Sequence, residues 1–184
     1  MEEDITSIQI GDYTKFKDHE GHWILIYKGE IVMTDHPIEF EDFEEFYQMA
    51  SGNILISGLG LHVMSDKLLG KDGVEQVTIL EKSQEVIALS DRWYDDDPRV
   101  TVIQADVFTW DPPEDAHYDY VWHDIWNTVT CGNVDEMDTL IAKYASFADT
   151  QVGWREQDAR DRKEGKPNAL PCNGETDIEK LEIK

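Results

Sequence analysis

Basic residues are scarce in this 184-residue chain: 16 Lys and Arg stand against 40 Asp and Glu, a formal net charge of −24. Such an excess of acid argues against simple electrostatic binding to a bare phosphate backbone, so no direct nucleic-acid partner is expected. Cysteine is scarcer still. Cys131 and Cys172 do not make a disulfide framework, and a reducing cytoplasm is the default expectation. Long apolar runs are missing too. None reaches the length of a bilayer span, so no membrane association is expected, and the opening Met1-Glu2-Glu3-Asp4 is too acidic and polar for a secretory signal. There is no internal repeat and no low-complexity block. What is present suffices for a packed core: 40% of the residues are hydrophobic, and the length suits one domain with a small appendage.

The acid is unevenly spread. Residues 1–50 hold thirteen acids and three bases, residues 91–138 thirteen and two, and residues 150–184 eight and seven. Solubility or a salty environment accounts for this pattern. So does attraction of a cationic substrate such as a polyamine, recognition of a basic protein, or acidic mimicry of nucleic acid.

Residues 1–36 read as a small β appendage. Trp23-Ile24-Leu25-Ile26-Tyr27, a Lys28-Gly29-Glu30 turn and Ile31-Val32-Met33 form a hairpin, and a strand near 7–10 pairs with it. Asp35-His36-Pro37 signals a helix start, and Phe40, Phe43, Phe46, Tyr47 and Ala50 recur at helical spacing. From residue 37 to 149 strands alternate with helices: strands near 54–57, 77–81, 100–104 and 118–123, with helices near 61–69, 83–90 and from Asn133 onward. Gly70 is read as a C-cap, Ser83 as an N-cap, and Asn133 with Glu136 as a capping box. The alternation predicts an α/β fold with a mainly parallel, Rossmann-like sheet in order 3-2-1-4, ending after its fourth strand. Residues 150–184 predict one charged helix near 155–164 and a mobile tail from 171. The sheet edge left bare by that ending invites a partner chain, so a homo-oligomer is expected.

Each of the four strands stops at a glycine or a carboxylate, where doubly wound sheets bind ligands. Ile54-Leu55-Ile56-Ser57 runs into Gly58-Leu59-Gly60, a turn whose backbone can approach a ligand closely. The second strand ends on Glu81, 21 residues after Gly60, where a carboxylate can accept both ribose hydroxyls. The third runs into Asp106, followed by Val107 and Phe108; an acid there can bond an adenine amino group while its apolar neighbours cover the ring. The fourth runs through His123 into Asp124.

On these four turns, within residues 50–148, the chain resembles the class I S-adenosylmethionine-dependent methyltransferase family. The resemblance implies that Ser57, Gly58, Leu59 and Gly60 approach the methionine part of the cofactor. It implies that Glu81 binds ribose, that Lys82 lies beside the adenine, and that Asp106 and Val107 hold it. Asp124 is then the catalytic residue beside the sulfonium and the incoming nucleophile, with His123, Trp126 and Asn127 at an acceptor pocket. The N-terminal hairpin, Met33-Thr34-Asp35 and the acidic segment after it also resemble the layout of spermidine-synthase-like proteins, in which the matching Asp deprotonates the attacking amine. The chain departs from that layout at Val32, where a glutamine is usual, at His62, where a third glycine is usual, and at Ile125-Trp126-Asn127-Thr128. The implied function is methyl transfer from S-adenosylmethionine to a small or cationic acceptor. Aminopropyl transfer from decarboxylated S-adenosylmethionine to a polyamine is the alternative, and a non-catalytic acidic binding module on the same fold is a third.

Strand alternation sends His123 and Asp124 to opposite faces, so the two do not act together; Asp124 orients or deprotonates an amine, and His123 is either the base or a packing group at the strand end. Trp122 and Trp126 either wall the acceptor pocket, stacking on a cation, or pack in the core and rim. His19, His22 and His36 lie near acids without a tight ligand spacing, so no metal site is expected. Cys131 has no base nearby in sequence to make it a nucleophile.

Overall fold

In a computed structural model of the chain, residues 7–90, 93–167 and 169–172 are described; the acidic first residues and the tail from 173 lie outside them. Two sheets carry the fold. The first is an antiparallel meander of β1 (Ser7–Ile10), β2 (Tyr13–Lys17), β3 (Trp23–Tyr27) and β4 (Glu30–Thr34), in sequence order. The expected hairpin is its β3–β4 half. The early strand pairs with β2 rather than with the hairpin directly, Ile10 opposite Tyr13, and β2 in turn pairs with β3. Tyr13-Thr14-Lys15-Phe16-Lys17 escapes notice because its lysines interrupt the apolar pattern. Lys15 is nevertheless buried, its ammonium donating to the Leu89 carbonyl at 3.0 Å.

The second sheet is parallel, in order β7-β6-β5-β8-β9, built from β5 (Gly52–Ser57), β6 (Val74–Glu81), β7 (Val100–Gln104), β8 (Tyr118–His123) and β9 (Ala148–Gly153). The first four follow the expected order. The expectation that the sheet stops there is corrected: β9 pairs parallel with β8, Tyr118 opposite Ala148 and His123 opposite Gly153. Ala148-Asp149-Thr150-Gln151-Val152-Gly153 lacks an apolar run because an edge strand has one partner and one wet side. β5, at the centre, is buried at every position from Ile54 to Ser57, as a strand covered on both faces requires.

Helices α1 (Glu44–Met49), α2 (Val63–Leu69), α3 (Gln84–Leu89), α4 (Asn133–Tyr144) and α5 (Glu156–Glu164) complete the chain. The segment after Pro37 is not one helix. A 3-10 turn, Pro37–Asp42, precedes α1, and Phe43 joins them with non-helical backbone. Ser83 caps α3 as expected, its hydroxyl accepting the Val86 N–H at 3.2 Å. The capping box at Asn133 does not form: Asn133 lies inside α4 and accepts the Thr130 N–H, while Glu136 turns to Trp126. α3 touches β6 on one side and β1 and β2 on the other, which holds the meander against the parallel sheet. No helix of the described residues is long and apolar enough to cross a membrane.

The two cysteines are bonded to each other, which corrects the expectation of free thiols. After α5 the chain returns to the loop beyond β8, bringing the Cα atoms of Cys131 and Cys172 to 5.3 Å, the usual spacing for a disulfide.

Candidate functional site

A cleft of about 610 Å³ opens where β5, β6 and β8 end and the meander leans over them. Asp12, Glu39, Glu81, Glu85, Asp106, Asp124 and Glu136 reach it, and Lys82 is the single basic residue among the described lining. The floor and walls are apolar, with Leu25, Met33, Val107, Trp122 and Trp126 among them. A cleft ringed by carboxylates and backed by apolar side chains concentrates cations, because its low-dielectric walls focus the field.

Gly58 and Gly60 both have positive φ, +99° and +50°. Their freedom serves the protein's own packing first. A side chain at Gly58 would fall on the Asp124 carbonyl oxygen, and one at Gly60 on the Met33 sulfur. Met33 sits within the turn and accepts the Leu61 N–H at 3.2 Å. His62, where a third glycine was looked for, takes a left-handed conformation as well, φ 57°.

Glu81 is tied to the glycine turn: one oxygen accepts the Leu59 N–H at 2.9 Å and the other the Ser83 N–H at 2.7 Å. Burial raises its pKa and these amides oppose the rise, so the carboxylate is held in one orientation at the cleft edge. Asp106 accepts the Phe108 N–H at 3.0 Å and pairs with the Lys82 ammonium at 2.8 Å. The Lys82 hydrogen bond, then the Phe108 amide, hold its carboxyl below the ordinary range. Val107 is buried beneath them, its carbonyl accepting the Tyr144 hydroxyl at 3.0 Å. Leu59, Gly60, Glu81, Lys82, Asp106 and Val107 are thus brought to one cleft.

Asp124 enters the same cleft from the end of β8, and the Trp122 indole points at its carboxylate from 3.4 Å. Burial, with a contribution from Asp42, pushes its pKa up to about 7. Glu39, from the 3-10 turn, is also pushed up to about 7: by burial first, then by the charges of Asp124 and Asp42, against an opposing Thr34 amide and Arg155. Two carboxyls whose charges repel across one cleft cannot both ionise cheaply. A cation between them relieves the repulsion. Trp126 lies in the wall with its indole N–H donated to Glu136 at 2.5 Å, and Asn127 is exposed at the rim.

Ser57 and His123 do not reach the cleft. They face each other across the β5–β8 pairing, fully buried, with the hydroxyl 3.0 Å from Nδ1. The Gln151 side-chain oxygen lies 3.2 Å from Nε2, and burial lowers the ring's pKa to about 4. The expected place for Ser57 beside a cofactor and for His123 at an acceptor pocket is corrected: the pair is a neutral packing unit on the far face of the strands from Trp122 and Asp124. Glu39 and Glu136 are the site residues that sequence reasoning missed. Glu39 looked like one acid of a charged helix, and Glu136 like half of a capping box.

No protein-family model matches the chain, and no curated protein sequence does. Solved structures do. A spermidine synthase in complex with the transition state analogue AdoDATO superposes with a TM-score of 0.52 and 18% identity, over 76% of this chain and 52% of that one. The 23S rRNA methyltransferase ErmE superposes with a TM-score of 0.51 and 17% identity, over 73% of this chain and 52% of that one. Spermidine synthase from Thermotoga maritima gives 0.49 and 19%, over 66% and 46%. The chain spans about half the length of these structures.

Proposed function

We propose that this chain, whose fold is that of the class I S-adenosylmethionine-dependent methyltransferases, binds an S-adenosyl compound in its cleft and transfers a carbon group to a cationic amine. The observation that carries this reading is the Glu39–Asp124 carboxylate pair beside the glycine turn, both groups pushed up to about 7. A base with that pKa is ionised in part at neutral pH and accepts a proton readily.

The adenosine would lie between Glu81, at the ribose, and Asp106 with Val107, at the adenine. Lys82 would have to release Asp106 or cover the ring from outside. The sulfonium would face Asp124. The acceptor amine, held as an ammonium by Glu39 and Asp124, gives its proton to Asp124. An S-adenosyl compound held there would supply an electrophilic carbon for the freed lone pair and would leave as a neutral thioether. Methyl transfer is the simplest form of this chemistry.

Aminopropyl transfer is favoured by one observation. The cleft's single lining lysine is engaged with Asp106, so the carboxylate of S-adenosylmethionine would enter a ring of acids, whereas its decarboxylated form presents only positive charge there. A cytoplasmic setting belongs to this reading, with the Cys131–Cys172 bond the observation against it, since disulfides persist mainly in oxidising compartments.

Calorimetry decides among these. Titration with S-adenosylmethionine, its decarboxylated form and S-adenosylhomocysteine should show at least one binding below millimolar, and product analysis with a diamine then identifies the group transferred. Failure of all three to bind sinks both transferase readings. Amine binding with no cofactor binding leaves the acidic binding module.

A further inference from the structure

The turn joining β2 to β3 meets the start of the 3-10 turn, and there two imidazoles and a carboxylate converge. Ligand atoms of Glu20, His22 and His36 all lie within 4.8 Å of one another. We propose that Glu20, His22 and His36 form a binding site for a divalent transition metal of the zinc type, with Asp35 orienting His22 from behind. The cleft reading plays no part in this inference.

The cluster is built rather than scattered. Asp18 accepts the N–H groups of both Glu20 and His22 at 2.9 Å, and its own N–H donates to the His22 carbonyl at 2.9 Å. One closed turn therefore fixes the backbone of two ligands. Asp35 is fixed in the same way: its carboxylate accepts the Trp23 N–H at 2.8 Å, and its N–H donates to the Trp23 carbonyl at 3.0 Å. The same carboxylate oxygen lies 3.3 Å from Nδ1 of His22. A proton shared there leaves Nε2 of His22 with its lone pair outward, the arrangement in which a carboxylate orients a metal-binding histidine.

His36 comes from the segment after β4, where it caps the 3-10 turn. Its Nε2 is 3.6 Å from a Glu20 oxygen, and its ring centre is 4.6 Å from that of His22. A tetrahedral zinc ion with ligand bonds of about 2.1 Å wants its ligand atoms roughly 3.4 Å apart. The Glu20–His36 pair is nearly there, and the half-exposed Glu20 side chain can close the remainder. Binding through Nε2 of His36 displaces the proton there and gives up the bond that Nδ1 accepts from Ile38, which at 3.5 Å is at the limit of such contacts. Two imidazoles with one carboxylate suit zinc, cobalt or nickel over magnesium or calcium, and a water would complete four-coordination.

The histidine numbers conceal this site because the ligands are spaced 20, 22 and 36, in the turn between β2 and β3 and in the segment after β4. Its position has a consequence for the cleft. His36 caps the 3-10 turn, and its carbonyl accepts the Glu39 N–H at 3.0 Å. A metal joining His36 to the Asp18 turn would clamp the segment that presents Glu39.

Cobalt and zinc test the site directly on the whole chain, in excess magnesium to occupy the carboxylate-only positions of so acidic a protein. One equivalent of Co²⁺ should produce the visible bands of a four-coordinate ion, and zinc should displace it and bleach them. His22→Ala and Glu20→Gln should abolish the bands, Asp35→Asn should weaken binding about tenfold or more, and His19→Ala should change nothing. In the unmodified protein, NMR of the imidazole nitrogens should show zinc shifting His22 and His36 while the buried His123 stays in place. The absence of stoichiometric binding overturns the proposal, as does binding that survives His22→Ala or leaves the His22 and His36 resonances unmoved.

Discussion

A side chain added at Gly58 would collide with the carbonyl oxygen of Asp124. The glycine turn after β5 and the carboxylate segment after β8 therefore lie back to back, joined by the Asp124 N–H donated to the Ser57 carbonyl at 2.8 Å. Gly58→Ala pays twice, about 1–2 kcal/mol for a left-handed backbone and about 1–3 kcal/mol for overlap with backbone atoms. Gly29→Ala, also at positive φ but with nothing within 4 Å, pays the first alone. Urea denaturation of the two variants checks this; equal losses would refute the contact.

Asp106→Ala should weaken binding of the S-adenosyl compound about 10- to 100-fold, the range for losing a hydrogen bond to a charged group. Calorimetry gives the ratio directly. An unchanged Kd would place the adenine elsewhere and leave Asp106 as a partner for Lys82 alone.

Asp124→Asn should lower turnover about 10²–10⁴-fold, the usual worth of a positioned base, with cofactor affinity within about threefold. Burial, then Asp42, raise Asp124; the Asp124 charge in part raises Glu39, and because that repulsion is mutual Glu39→Gln removes a charge that disfavours ionised Asp124. The acid limb of the pH–rate profile, set by Asp124 near 7, should then move to lower pH. A limb that stays in place separates the two carboxyls and sinks the pairing.

The same groups predict opposing effects of pH on stability. Asp124 and Glu39 have folded pKa values above their unfolded ones, so the unfolded chain holds fewer protons. The stability they contribute is fully present below about pH 4 and is lost as pH rises through about 7. His123 is lowered to about 4; its contribution is present above about 6.5 and is lost as pH falls toward 4. The two trends oppose each other over the same window, about pH 4–7: in denaturation across it, Asp124→Asn should remove a fall in stability with rising pH and His123→Gln should remove a rise. Since His123 lies away from the cleft, His123→Gln should leave cofactor affinity alone; a large loss would return it to the site.

How far the sequence could be read follows from where each residue gets its constraints. The strands that end at Gly58, Glu81, Asp106 and Asp124 are buried and apolar, so their composition announces them. β9 and β2 do not announce themselves, since each takes its stability from neighbours and tolerates Asp149, Gln151 or Lys15. Glu81, Asp106 and Asp124 were legible as strand-end acids at meaningful spacings. Glu39 was not, because its place in the cleft depends on Phe43 breaking one apparent helix into a 3-10 turn and α1. Ser57 and His123 were misplaced for a related reason: strand alternation gives two faces, and only the packed sheet tells which one opens to the cleft.

The bond between Cys131 and Cys172 closes α4, β9 and α5 into one covalent ring. A single proteolytic cut anywhere between those cysteines would leave both fragments attached, and they would separate on a gel only after reduction. Cuts on the N-terminal side, such as in the 3-10 turn that carries Glu39, would free a fragment at once. The ring includes the strand at the open sheet edge, so damage there would be retained in the folded particle instead of being shed.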